Sequence, residues 1–406
     1  MAFWLHQLQL PSWLSGKKAG CQVSVRIEQG MVSDIVESEI VEFSEKDTVW
    51  NGKGRLALSG LSELHTHLDK TYTRERLGHV GPGLLNAIEA MRGDQINWTE
   101  KDLSTRIEMA LAQAYHQGVT HIRTHIDWTE YEVPQAWSIL TDKMSEWCER
   151  IHVERVALIP LALFSDYSRA EVIARQVSES KAGILGGFVH SSNFDAAALD
   201  NLFSLASKFN LAVDLHIDEE IEAANGLRWL AKYLRTNASN LSITCGHACG
   251  LHTLGKEEVS TILAIFAQHK VRIVALPTTN LLLQDAKTGV TPTHRGITQV
   301  KEAKHHGVTV MFSSDNVADA FCPYGDYDPV AILRLSGMLA QLETPFESWS
   351  SSITYLQPQI GTSPLIDTPA DFVIFDHGNV HLWPEYRTKT IMRAGQWLSA
   401  HNIGNF

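Results

Sequence analysis

His65 and His67 stand one residue apart at the end of an apolar approach through Leu58, Leu61 and Leu64. On an extended strand alternate side chains share a face, so the two imidazoles point the same way and make half a metal site. With 19 histidines in 406 residues such a pair also arises by chance, and its meaning depends on its company. That company is present. Val213-Asp214-Leu215-His216-Ile217-Asp218-Glu219 ends in a histidine and an acid, His247 follows Cys245-Gly246, and Asp315 with Asn316 follows Phe312-Ser313-Ser314. Singly, His247 reads as a core histidine, Asp315 as a helix cap and Glu219 as an acid favoured in a first helical turn. Together, on four strand ends, they point to a bound metal.

The elements that must position these groups are legible in the pattern. Apolar runs at Leu56 to Leu68, Val119 to Ile126, Val153 to Leu163, Gly183 to Val189, Leu211 to Ile217, Leu241 to Cys245, Val271 to Leu276 and Val308 to Phe312 predict eight strands. Amphipathic stretches between them, among them residues 99–116, 135–150, 194–208 and 257–268, predict helices, and 334–341 predicts one more after the last strand. Eight alternating βα units predict an α/β fold, a (β/α)8 TIM barrel over residues 58–364 with chemistry at its strand C-termini. Residues 1–57 and 365–406 carry short alternating segments around 21–27, 34–41, 370–376 and 390–397, which predict a small β-sandwich built from both ends of the chain.

Composition narrows the class. A hydrophobic fraction of 44% with 20% charged residues is that of a globular protein, and a formal net charge of −12 argues against a nucleic-acid surface. The first residues lack a basic segment before an apolar run, and no stretch nears the ~20 apolar residues of a membrane span. Five scattered cysteines fit reduced thiols and a cytoplasmic location. Cys245 and Cys249 flank His247 without a second ligand pair, which reads as buried strand-end thiols. A small neutral or cationic substrate is expected; a homo-oligomer is left open.

The motifs His65-Thr66-His67-Leu68-Asp69, His121-Ile122-Arg123-Thr124-His125-Ile126-Asp127, His216-Ile217-Asp218-Glu219, Pro277 to Gln284, Arg295-Gly296-Ile297-Thr298 and Ser314-Asp315-Asn316 resemble those of the amidohydrolase superfamily. Within it they resemble the cytosine deaminases. The resemblance runs from about residue 58 to residue 345. It implies one divalent metal ion per chain, Zn²⁺ or Fe²⁺, held by His65, His67, His216 and Asp315, a donor set that suits either ion. Many relatives hold two metals through a lysine on strand four; here that strand ends Gly186-Gly187-Phe188-Val189-His190, which implies the one-metal form.

The implied reaction is hydrolytic deamination of an amino-substituted heterocycle. Asp315 takes a proton from water, His247 orients the nucleophile or stabilises charge, and Glu219 protonates a ring nitrogen and passes a proton to departing ammonia. Leu161, Asn280 and Asn316 are the expected substrate contacts. Cytosine deaminases carry a glutamine after the proline that ends strand three, where this chain has Pro160-Leu161, and an acid where it has Asn316. The expected ring is therefore other than cytosine: a pterin, an aminotriazine, isocytosine or a creatinine-like ring. Trp128, Phe321 and Tyr324 are available to stack on it. A cyclic amide hydrolase on the same metal centre is the alternative reaction, and a barrel without catalysis the alternative role.

Overall fold

The computed structural model describes residues 2–237, 240–294, 296–359, 362–376, 380–384 and 388–398. The terminal segment contributes β1 (Phe3–Gln9), β2 (Gln22–Glu28), β3 (Met31–Glu37) and β4 (Thr48–Ser59). The central segment contributes β5 (Leu61–Thr66), β6 (Val119–Asp127), β7 (His152–Pro160), β8 (Gly183–Val189), β9 (Val213–Ile217), β10 (Ile243–His247), β11 (Arg272–Ala275) and β12 (Thr309–Phe312). The chain then adds β13 (Phe372–Phe375), β14 (Lys389–Arg393) and β15 (Gln396–Trp397).

β5 to β12 form one sheet in sequence order, with parallel pairing throughout β6 to β12. A parallel bridge between Thr66 and Asp315 joins the end of β5 to the segment after β12. This is the (β/α)8 barrel, with helices such as Glu100–His116, Gln135–Trp147, Ala196–Lys208, Asn225–Thr236 and Lys256–Gln268 in the crossovers. Their buried faces are the apolar stripes of the sequence: the helix Ala196–Lys208 buries Leu199, Leu202, Phe203 and Leu205, and Asp195 caps it by accepting from the amides of Ala197 and Ala198.

The other strands form a separate seven-stranded sheet ordered β15-β14-β13-β4-β1-β2-β3, so the two ends of the chain do share one sheet. Its core includes Leu5, Leu8, Val25, Val32, Phe372, Ile374 and Met392. By contact density the chain divides into one compact unit of residues 1–62, 114–120 and 329–406 and a second of residues 63–113 and 121–328.

The apolar run from Leu56 to Leu68 is two strands instead of one. The break is at Gly60, where a β-carbon would lie 2.2 Å from Thr120 Cγ2, so the chain passes from β4 to β5 at a point that admits no side chain. Among the described residues no helix is long and apolar enough to cross a membrane.

Candidate metal centre

Because β5 places alternate residues on one face, His65 and His67 both reach the cluster, from the last turn of the strand and just beyond it. β9 brings His216 and β10 ends in His247, while Asp315 follows β12 by three residues. His65 Nε2 lies 3.1 Å from His216 Nε2, and His216 Nε2 lies 3.2 Å from His67 Nε2. Asp315 Oδ1 is 3.1 Å from His67 Nε2 and 3.5 Å from His65 Nε2. Four ligand atoms each ~2.1 Å from a common centre stand about 3.0–3.4 Å apart, so these separations fit the edges of a coordination polyhedron. The orphans agree: neither carboxylate oxygen of Asp315 has a hydrogen-bond partner of good geometry, although both are buried.

Electrostatics prepares the same atoms for a cation. Burial first, and then the neighbouring imidazoles, hold His65 and His216 well below the ordinary histidine range. His67 is lowered to about 4, again chiefly by burial, with Lys70 adding to it. All three are therefore neutral rings with lone pairs to give. Burial works to raise Asp315, but the adjacent His67 and His247 rings outweigh it and keep the group a carboxylate. The chain thus holds a His/Asp group able to bind a divalent metal ion. His247 also brings a ring nitrogen within 4.8 Å of the ligand atoms of His65, His216 and Asp315.

The backbone at these strand ends is held in an uncommon conformation. Asp218, His247 and Asp315 have φ of 46°, 66° and 61°, the left-handed region that costs a non-glycine residue about 1 kcal/mol or more. Neighbours impose it. The Asp218 carboxylate accepts from the amides of Gly226 at 3.0 Å and Leu227 at 2.7 Å, tying the loop after β9 to the start of the next helix. Asp315 donates its amide to His65 O at 3.0 Å and accepts from Thr66 Oγ1 at 2.9 Å.

Glu63, which the sequence analysis passed over, anchors the other side of this turn. One of its oxygens accepts from Ser313 Oγ at 2.6 Å and from the amide and hydroxyl of Ser314, both at 2.9 Å, while Ser313 Oγ accepts from the His65 amide at 3.0 Å. Glu63→Ala strips this buried turn of its acceptor. We expect it to cost about 3 kcal/mol, read as a lowered midpoint in denaturant unfolding.

Glu219 is buried at the cavity wall, its Oε1 3.8 Å from His247 Nδ1. Burial, with Asp315 and Glu220 adding to it, raises its carboxyl to about 7. His247 Nδ1 donates to Asn280 Oδ1 at 3.0 Å, which leaves the lone pair on Nε2, and Asn280 Nδ2 contacts Cys249 Sγ at 2.9 Å. Asn280 therefore serves His247 and does not line the cavity. Asn316 does line it, and its amide donates to Asp319 Oδ2 at 2.6 Å.

The cavity holds about 710 Å³ and reaches from His67, His216, Glu219, His247 and Asp315 to the helix Leu84–Asp94. Leu161 is fully buried and absent from its lining; the neighbours Leu158, Pro160 and Phe188 line it instead. The reason is local: the chain leaves β7 at Pro160 and turns at once into the short helical segment Leu161–Ser165, which carries Leu161 into the core. Of the aromatic candidates, Phe321 lines the cavity. Trp128 is 0% exposed and packs on Trp137 at 5.2 Å, and Tyr324 is 80% exposed. Arg295 lies outside the described residues, and Cys245 and Cys249 are buried free thiols.

Two groups near the cluster carry no role read from the sequence: His125 and Asp127 stand in one motif, and Lys70 directly follows another. His125 stacks against His65 with ring centroids 3.9 Å apart and lies 3.2 Å from Asp214, whose charge Arg123 already balances at 2.8 Å. Lys70 and Asp127 form an ion pair in the cavity wall. Their signal was the extension of two strand-end motifs by one or two polar residues.

The chain and its fold have known counterparts. The chain is 29% identical over 394 residues, 92% of its length and 87% of the relative's, to a pterin deaminase of Rhizobium rhizogenes. It is 24% identical, over 78% of its length and 77% of the relative's, to N-isopropylammelide isopropyl amidohydrolase of a Pseudomonas species. Among solved structures, 5-methylcytosine deaminase of Klebsiella pneumoniae superposes with a TM-score of 0.79 at 20% identity, covering all of both chains. The model of the amidohydrolase family matches residues 99–342, more than half of the chain, and the protein belongs to that family.

Proposed function

We propose that this protein is a metal-dependent hydrolytic deaminase of an amino-substituted heterocycle, releasing ammonia. The observation that carries the reading is the meeting of His67, His216 and Asp315 with Glu219 and His247 at one cavity, with His65 just behind the lining at 3.1 Å from His216. His65, His67, His216 and Asp315 would hold one divalent ion, Zn²⁺ or Fe²⁺. Such an ion lowers the pKa of a coordinated water and so supplies a nucleophile at neutral pH.

The chain's own residues do the rest. Asp315, a carboxylate whose two buried oxygens accept no hydrogen bond of good geometry, accepts the proton of the attacking water. His247, its ring fixed by Asn280, turns Nε2 to the nucleophile and steadies the charge that forms as the ring carbon becomes tetrahedral. Glu219 donates a proton to the ring nitrogen and then carries one to the departing amine. A carboxyl held near neutrality is suited to both transfers. Amide hydrolysis has less need of such an acid, which favours deamination over the cyclic amide reading.

The cavity exceeds what a single pyrimidine ring needs, and the relative named for pterin deamination covers nearly the whole chain, so a pterin-sized ring leads the candidates. The test is ammonia release by metal-reconstituted protein from a panel of pterins, aminotriazines, aminopyrimidines and creatinine. We expect a pterin to be favoured over cytosine; efficient cytosine turnover with none on the others would overturn that order. The pH profile is a second outcome. Glu219 must begin protonated, so kcat/KM falls about tenfold per pH unit above pH ~7 as the acid form is lost.

A further inference from the structure

The wall of the cavity beside His67 carries a charged pair that the proposed chemistry does not use. Lys70 is 5% exposed, and its Nζ lies 2.7 Å from Asp127 Oδ1 and 3.3 Å from His67 Nδ1. Both side chains line the cavity together with His67, Glu219 and Phe321. Leu84, Ile88, Met91, Leu158 and Pro160 give the lining an apolar part, and Lys70 and Asp127 are the charged pair beside His67 that can meet a polar ring edge.

Donor counting shows that the pair is open to a ligand. An ammonium offers three hydrogens, and an ionised carboxylate about four lone-pair sites. Asp127 takes one hydrogen of Lys70. His67 Nδ1 can accept a second only while it keeps its lone pair. Were His67 Nε2 to hold a divalent ion, the ring proton would sit on Nδ1 and that acceptor would be gone, and even without it the third hydrogen of Lys70 is uncommitted. Lys70 then has hydrogens, and Asp127 lone pairs, to present side by side toward the cavity.

A cationic donor beside an anionic acceptor matches one edge of a heterocycle: a ring carbonyl accepts from the first while the adjacent ring N–H donates to the second. We infer that Lys70 and Asp127 read a lactam edge, so that the substrate carries an oxo group and a neighbouring ring N–H in addition to the amino group it loses. The amino group rests on the deaminase reading; the lactam edge rests on the pair itself. Phe321, whose ring centroid lies 5.5 Å from Lys70 Nζ, gives the ring a flat neighbour on that side.

The test compares 2-aminopyrimidin-4-one with 2-aminopyrimidine, which lacks the lactam edge, by isothermal titration into the metal-loaded full chain. The wild type is expected to bind the first at least ~100-fold more tightly, because the unmatched ring leaves remaining hydrogens of the Lys70 ammonium and lone pairs of the Asp127 carboxylate shut from water without a partner. Lys70→Met is expected to cut that preference below about tenfold while elemental analysis shows the metal retained. Asp127→Ala gives the same comparison if Lys70→Met does not fold. An equal affinity of the wild type for both rings, or a preference undiminished in both variants, overturns the inference. Ammonia release on the same samples separates the two readings. A preference with no ammonia from any ring of the panel retires the deaminase and keeps the lactam reader, and ammonia release with no preference does the reverse.

Discussion

Glu219→Gln is expected to lower kcat on the deaminated substrate by about 10³-fold with metal content unchanged. Glutamine keeps the volume and a hydrogen bond but cannot give up a proton, so the substitution removes one function and little else. The site favours so clean a result. Glu219 Oε1 stands 3.8 Å from His247 Nδ1 and is no member of the His/Asp group, while its backbone carbonyl is separately held by Gln284. The residual rate is also expected to lose the descending limb above pH ~7, since the group that titrates there is gone. Loss of metal from the variant would show that Glu219 ligates, and an unchanged pH profile would assign that limb to another acid.

His216→Ala is expected to give the opposite signature, losing metal and activity together. Its Nε2 lies between those of His65 and His67, at 3.1 and 3.2 Å, so the deletion opens the centre of the donor set. We expect elemental analysis to fall from one ion per chain to less than a tenth, and turnover to fall on the order of 10⁴-fold or more as water loses its activating ion. Thermal melts provide a reading independent of catalysis. A ligand that binds only the folded state raises its stability by RT ln(1 + [L]/Kd), so added Zn²⁺ is expected to lift the melting temperature of the wild type and leave His216→Ala unmoved. Two ions per wild-type chain at full activity would overturn the one-metal reading, and the group formed by His65, His125 and Asp214 would be the place to seek the second.

Properties that depend on local repetition were determined by the sequence alone. Alternation along a strand decides that His65 and His67 share a face, and the recurrence of apolar runs with helical stretches decides a parallel barrel whose strand ends carry His216, His247 and Asp315. None of this needs knowledge of which strand is whose neighbour. What tertiary structure decided are the meetings across the closed barrel and the fates of residues at turns. Glu63 holds Ser314 from 251 positions away because β5 meets the segment after β12, and no local pattern announces that contact. Lys70 finds Asp127 because the segment after β5 meets the end of the adjacent β6, which turns two ordinary charged residues into a candidate reader of the substrate. The run at Leu56 to Leu68 splits at Gly60 because β4 pairs in one sheet and β5 in the other, and Thr120 occupies the space a side chain would need at the crossing. Leu161 leaves the cavity because the backbone turns straight after Pro160, and Asn280 is taken by His247 because the helix Pro277–Leu283 that follows β11 brings its amide within 3.0 Å of that ring. Strand periodicity fixes the face on which a side chain emerges; only the packed neighbours fix what it touches once the strand has ended.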